Sequence, residues 1–227
     1  MFGLFKKKNK GKESESFQNK TEEYDFKWHD LGKDNPFNKK ILDIRSLTQT
    51  MLSFTSDKEV AVLFNKQRHS IGEKLINVKL EGSKTIPANL EYPHNESKME
   101  GAGYKAKCME DKWDIYFWNG VMYLTRSWTG EVIYKAHTNV AETNFTITKI
   151  EYSENEYTQA DPSLVFDNVH FIVLSHAFGR PFPHRVPKTL INEKDIALYS
   201  FNQFGHNCWY ATYDTILDAI VIPKLTE

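Results

Sequence analysis

The sequence predicts an α+β fold: a mainly antiparallel sheet with a central three-stranded meander at about 112–136, and two or three packed helices. Three observations carry this. Asn119-Gly120 sits between two apolar-rich, β-favouring runs, which is the strongest short hairpin signal. Two segments begin with helix-start chemistry and continue with apolar residues at helical spacing. Seven or eight strand-like runs do not alternate regularly with those helices, which excludes a doubly wound parallel sheet.

Residues 1–23 are expected to be a disordered leader and 24–227 a single domain. Lys6 to Lys20 is rich in Lys, Ser, Glu and Asn and cannot offset its own ordering entropy. Asn35-Pro36 is a turn signal. Ile41 to Leu47 reads equally as strand or helix. Ser56-Asp57-Lys58-Glu59 is a capping box, and Val60, Leu63, Phe64 and Gln67 form one stripe, so a helix is expected over about 57–68. Residues 75–80 and 86–92 read as short strands, and Pro87 and Pro93 either place the second near an edge or limit its length. Asn95 to Gly103 reads as a loop.

In the meander, Trp113 to Trp118 pairs with Val121 to Trp128. The two-residue turn fixes the register: 118 faces 121, 117 faces 122, 115 faces 124 and 113 faces 126. One face then carries Trp113, Ile115, Phe117, Met122, Leu124, Arg126 and Trp128. The next strand, Glu131 to Ala136, should place Glu131 and Ile133 on that same face. Phe145 to Tyr152 alternates as a further strand. Asp161-Pro162 reads as N-cap and first residue of a helix through Val165, Val169, Ile172, Val173 and His176, stopped at Gly179. Residues 181–187 read as a stiff extended loop, and Ile196–Phe201 and Cys208–Tyr213 as two strands. Asp214 to Ile222 is open between helix and strand.

With 29 Lys+Arg against 30 Asp+Glu the formal net charge is −1, so nothing forces a nucleic-acid partner and none is expected. The longest apolar runs are four residues, such as Phe171 to Leu174. A spanning helix needs roughly 20, so no membrane span is expected. Two cysteines, Cys108 and Cys208, are no disulfide framework, and reduced thiols in a cytoplasm are the simpler reading. No phosphate-binding Gly-rich loop, zinc spacing or nucleophile elbow is present, so no cofactor or metal is expected.

Two places carry candidate chemistry. Arg126 lies opposite Trp113 and on the face of Trp128. This is either a structural cation held by Glu131 and the indoles, or an anion-binding arginine in an aromatic pocket. Residues 175–185 hold His176, Arg180, His184 and Arg185 near a helix end. They read as favourable charge at a helix C-terminus or as a site for an acidic partner. His170 and His176 are about 240° apart around a helix and do not converge on a metal. His206-Asn207-Cys208 admits a thiol nucleophile, but a buried apolar cysteine is the simpler reading.

Pro36-Phe37-Asn38, Ile41 to Met51, Trp113-Asp114-Ile115-Tyr116 and Arg126-Ser127-Trp128-Thr129-Gly130 together resemble a bacterial protein family with no established activity. The resemblance covers scattered blocks over 35–210 and implies a soluble bacterial protein. Since no catalytic set converges, the sequence favours a non-enzymatic binding protein of accessory or immunity type, with a protein partner or a small anionic ligand. The alternative is an enzyme acting on a nucleotide-like or phosphorylated substrate, with Arg126 and Arg180 as anion binders and His176 or His184 as general acid/base. A third reading puts Phe2, Leu4, Phe5 and the following lysines on an anionic membrane surface.

Overall fold

A computed structural model describes residues 24–95, 98–153 and 161–219; the expected leader, with the Phe2, Leu4 and Phe5 considered for a membrane surface, lies outside this range. In chain order come β1 (Lys27–His29), β2 (Ile41–Asp43), α1 (Arg45–Thr48), α2 (Lys58–Arg68), β3 (Lys84–Pro93), β4 (Gly101–Tyr104), β5 (Trp113–Trp118) and β6 (Val121–Arg126). They continue with β7 (Val132–Val140), β8 (Asn144–Tyr152), α3 (Pro162–Ile172), β9 (Pro183–Arg185), α4 (Glu193–Phe204) and β10 (Tyr210–Thr212). The fold is α+β. Six antiparallel strands form one sheet in the order β3-β8-β7-β6-β5-β4, and a smaller mixed sheet runs β1-β2-β10-β9 with β9 and β10 parallel. No helix among the described residues is long and apolar enough to cross a membrane.

The β5–β6 register is the one the Asn-Gly turn dictates, with Trp118 opposite Val121 and Trp113 opposite Arg126. Asn119 (φ 51°) and Gly120 (φ 72°) take the left-handed conformation this turn requires. The third strand departs from expectation. The Arg126 amide donates to the Glu131 carbonyl at 2.9 Å, but a bulge follows, with Leu124 opposite Tyr134 and Thr125 opposite Val132. The extra residue is Ile133. It stays in the core, while Tyr134 and Ala136 take the places that alternation alone assigns to odd-numbered residues. The return strand also ends at Arg126, two residues early.

Several other expectations are corrected. Ile196–Phe201 is helical and belongs to α4. The Asn192 side chain caps it by accepting from the Lys194 and Asp195 amides, and Ile196, Ala197, Ser200, Phe201 and Phe204 recur on its buried side. Residues 75–80 are a 3-10 turn and irregular chain. Asn77 at φ 69° cannot sit in a strand, and Leu75, Val78 and Leu80 instead cover Tyr116, Tyr123 and Val132 on the outer face of the large sheet. Gly101 to Gly103, the end of the expected loop, form with Tyr104 the edge strand β4, and Pro183–Arg185 pairs as β9. The α2 cap is Asp57, one residue beyond Ser56. Ile41–Leu47 is strand, then helix. Asp214–Ala219 is irregular, and the rest of that segment lies outside the described residues.

The inner face of the large sheet shares one apolar cluster with α3, α4 and the small sheet: Trp113, Ile115, Leu124 and Tyr134 join Val165, Val169, Ile196, Phe201, Phe204, Leu42 and Ala211. Helix α3 is buried on nearly its whole circumference, as an all-round apolar helix must be. Asp161 caps it and Pro162 opens it. After Ile172 the chain widens into a π-helical turn, Val173–Ala177, which ends at Phe178 ahead of Gly179 (φ 60°).

Candidate functional site

Arg126 is buried, and the structure shows what holds it. Its Nη1 donates to the Gln203 carbonyl at 2.8 Å and its Nη2 to the Asn202 carbonyl at 3.0 Å. Trp113 lies under the guanidinium at 4.9 Å and gives its own Nε1–H to the same Gln203 carbonyl at 2.7 Å. The last carbonyls of α4, which lack partners within the helix, are thus capped by two side chains of the sheet. Glu131 is exposed and meets Arg126 through its backbone carbonyl. Trp128, expected over Arg126, carries the Lys112 ammonium 4.6 Å from its ring.

Lys112 is the centre of a hub that sequence reasoning missed. It is buried among Trp128 and Phe201, 4.6 and 4.8 Å from the two rings. Its Nζ donates to Ser53 Oγ at 2.7 Å and to the Met109 carbonyl at 3.0 Å. Burial, reinforced by the Arg126 charge, pushes its pKa down to about 8, so it remains mostly charged at neutral pH. Glu110 beside it accepts from the Ser53 amide at 2.7 Å. Gly205 makes room for this packing: at φ 68° its absent Cβ would meet the Glu110 carbonyl oxygen at 1.7 Å.

The hub fixes the chain between α1 and α2. Ser53 is held from two sides, and His206 Nε2, 3.0 Å from the Met51 carbonyl, holds the residue two before it. Met51, Ser53 and Thr55 are partly buried, and the residues between them point out. Those residues are Leu52 and Phe54, at 75% and 85% exposure. On α2 only Phe64 is buried, while Val62 at 66% and Leu63 face solvent. Five of the nine large apolar side chains exposed among the described residues fall between Leu52 and Ile71. The expected stripe of Val60, Leu63, Phe64 and Gln67 is therefore only partly inward. The available sequence signal was an extended Leu-Ser-Phe run just before a helix cap, in which the hydroxyl and not the apolar residues points inward.

The second candidate group is dispersed. His184 is wholly buried, with Nε2 2.8 Å from Ser200 Oγ and Nδ1 donating to the Arg185 carbonyl at 3.1 Å. Arg185 spans the start of α3, donating to Ser163, to the buried Asp167 at 3.2 Å and to Asp161 at 3.4 Å. Arg180 is exposed with its guanidinium 5.8 Å from the Phe178 ring. His176 borders a cleft. Burial drives the pKa of both His176 and His184 down to about 3, and that of His170 to about 4. They are neutral imidazoles at physiological pH. His170 pairs with the Tyr92 hydroxyl at 2.7 Å, and no group of three His, Cys, Asp or Glu among the described residues is arranged to hold a metal. Cys208 is buried with its thiol pKa pushed well up, and His206 is engaged with Met51.

Comparison of the chain with protein-family models, with curated proteins and with solved structures finds no match.

Proposed function

We propose that this is a non-enzymatic interaction protein of accessory or immunity type, working in a bacterial cytoplasm, and that its partner-binding surface is the Leu52–Leu63 segment. The observation that carries the proposal is the pair Leu52 and Phe54, held outward on a chain whose intervening Ser53 is anchored to Glu110 and Lys112. Large apolar side chains gain free energy when a partner removes them from water. A cluster of them on a pre-ordered segment suits a partner, because the ordering entropy of the backbone has already been lost on folding. Aromatic anchors of this kind dominate interface energetics.

The same reading accounts for the residues first considered for an enzyme of phosphorylated substrates. Arg126 is committed to the α4 carbonyls, and His184 is neutral and sealed in the core. The test is affinity capture from native cell extract with quantitative mass spectrometry, run with the wild-type chain and with Leu52→Asp/Phe54→Asp. The expected result is a protein held by the wild type and depleted at least about tenfold with the variant, as loss of a hot-spot aromatic implies. Identical recovery by both chains would refute the assignment of this surface.

A further inference from the structure

The apolar surface does not end at Leu63. One turn further along the outward side of α2 comes Lys66, at i+4 from Val62 and i+3 from Leu63. Beyond the helix, Ile71 is again held outward, at 54% exposure, while its carbonyl accepts from the Trp118 indole Nε1 at 3.0 Å. The pattern repeats that of Leu52 and Phe54. The backbone is tied to the body of the protein and the apolar side chain is left in water.

A recess of about 320 Å³ opens at this end of the surface, between the end of α2 and the short turn Glu73–Leu75. Its walls include Lys66, His69 and Ser70 from the first, Lys74 and Leu75 from the second, and Tyr116 from β5. These walls are fixed by the fold. Lys105 Nζ donates to the Gln67 carbonyl at 2.7 Å, Ser70 Oγ accepts from the Gly72 amide at 3.1 Å, and the Leu75 amide donates to the Gly72 carbonyl at 2.9 Å.

The recess has one sign of charge. Lys66 and Lys74 are exposed, and neither makes an ion pair or side-chain hydrogen bond among the described residues. No carboxylate lines it; Glu73 and Glu131 adjoin lining residues in sequence but are not among them. From Val60 to Gly72 the chain carries Lys66 and Arg68 and no acid. Favourable charge at a helix C-terminus accounts for those two. It does not account for Lys74, which comes from the next element. Exposed lysines by themselves are ordinary surface. These two line a recess into which an apolar stripe runs, so one partner segment can meet both.

We infer that the partner of this surface presents an acidic segment beside its apolar contact, and that carboxylates of that segment dock in the recess on Lys66 and Lys74. The inference rests on the proposed role of the Leu52–Leu63 surface and adds the chemistry of what it binds. Burial of the apolar groups supplies affinity, and complementary charge selects the partner and fixes its orientation. A basic segment would set like charges against each other at the recess, which is how such an interface rejects wrong partners.

A random peptide library displayed on phage tests this, selected on the full wild-type chain and counter-selected on Leu52→Asp/Phe54→Asp. Enriched peptides are then synthesised and their binding is measured by fluorescence anisotropy. They are expected to combine large apolar residues with Asp or Glu. Lys66→Glu/Lys74→Glu should weaken their binding at least about tenfold, and Lys66→Arg/Lys74→Arg should leave it near that of the wild type. Added salt should weaken it as well. The melting temperature should not move, because both positions are exposed. Enriched peptides that are neutral or basic, or acidic ones that bind the charge-reversed chain as tightly as the wild type, would overturn this inference and leave the apolar surface standing. Failure to enrich any peptide that depends on Leu52 and Phe54 would count against the surface itself, and the inference would fall with it.

Discussion

The hub around Lys112 and Arg126 and the segment that lies on it obey opposite rules. In the hub, buried charge is answered: Arg126 meets two helix carbonyls and an indole, and Lys112 meets a hydroxyl, a carbonyl and two aromatic faces. In the segment, Leu52 and Phe54 are large apolar groups in water with no apolar neighbour covering them. Ser53 joins the two, polar and inward where its neighbours are apolar and outward. A buried cation left unpaired would cost several kcal/mol, so the hub is what the fold requires. An exposed Phe costs the fold little and gives it little, so its placement is explained from outside the fold. The difference separates what maintains the structure from what the structure presents.

The largest expected effect is acid lability of the interior. His170, His176 and His184 have folded pKa values of about 4, 3 and 3, below the usual 6.5. The unfolded chain takes up protons that the folded chain refuses, so the stability these groups confer is complete above pH 6.5 and is lost as pH falls toward 4. Each histidine contributes a slope of about 1.4 kcal/mol per pH unit over that window. Urea unfolding at a series of pH values should show the midpoint falling steeply below pH 6; a flat profile down to pH 4.5 would show the imidazoles to be accessible.

Next in size is Arg126→Met. It removes both guanidinium bonds to the end of α4, from the Gln203 carbonyl, which keeps Trp113, and from the Asn202 carbonyl, and is expected to cost about 3 kcal/mol. Urea unfolding at neutral pH checks this. A loss near zero would mean that the guanidinium is dispensable to the fold and would reopen it as a ligand group. Lys112→Met keeps the packing against Trp128 and Phe201 but loses the bonds to Ser53 and Met109. It should cost about 1–2 kcal/mol and raise the hydrogen-exchange rate of the Ser53 amide, while the Ile115 and Leu124 amides stay protected.

The sequence made the Arg126 environment half legible. The Asn-Gly turn fixed the register, and the register put Trp113 under the guanidinium as observed. It could not give the true partners, because these are backbone carbonyls of α4, some 76 residues downstream, in a segment that the β-favouring Ile196, Tyr199 and Phe201 disguised as a strand. The bulge at Ile133 was invisible for a related reason: period-two alternation has no signal for one extra residue that is itself apolar. Lys112 was passed over because Glu110-Asp111-Lys112 reads as a solvated charge run. Only the approach of Gly205, Phe201 and Trp128, distant in sequence, buries it. By contrast, the Asp161-Pro162 helix start depends on local chemistry alone and is present, and of the two readings of Pro87 and Pro93 the edge placement holds while the strand is not shortened, running from Lys84 to Pro93.

The smallest effect on the fold should come from the segment proposed to carry the function. Leu52→Ser/Phe54→Ser removes two large apolar side chains that contribute almost nothing to the core, so surface behaviour, within about 0.5 kcal/mol of the wild type, is expected. Truncation of a buried Phe costs about 3–5 kcal/mol. Urea unfolding of this double variant beside the wild type therefore tests the central claim directly. An unchanged or higher unfolding free energy would show that the two side chains are held out for something other than the fold. A loss of about 2 kcal/mol or more would place them in the core and contradict the account.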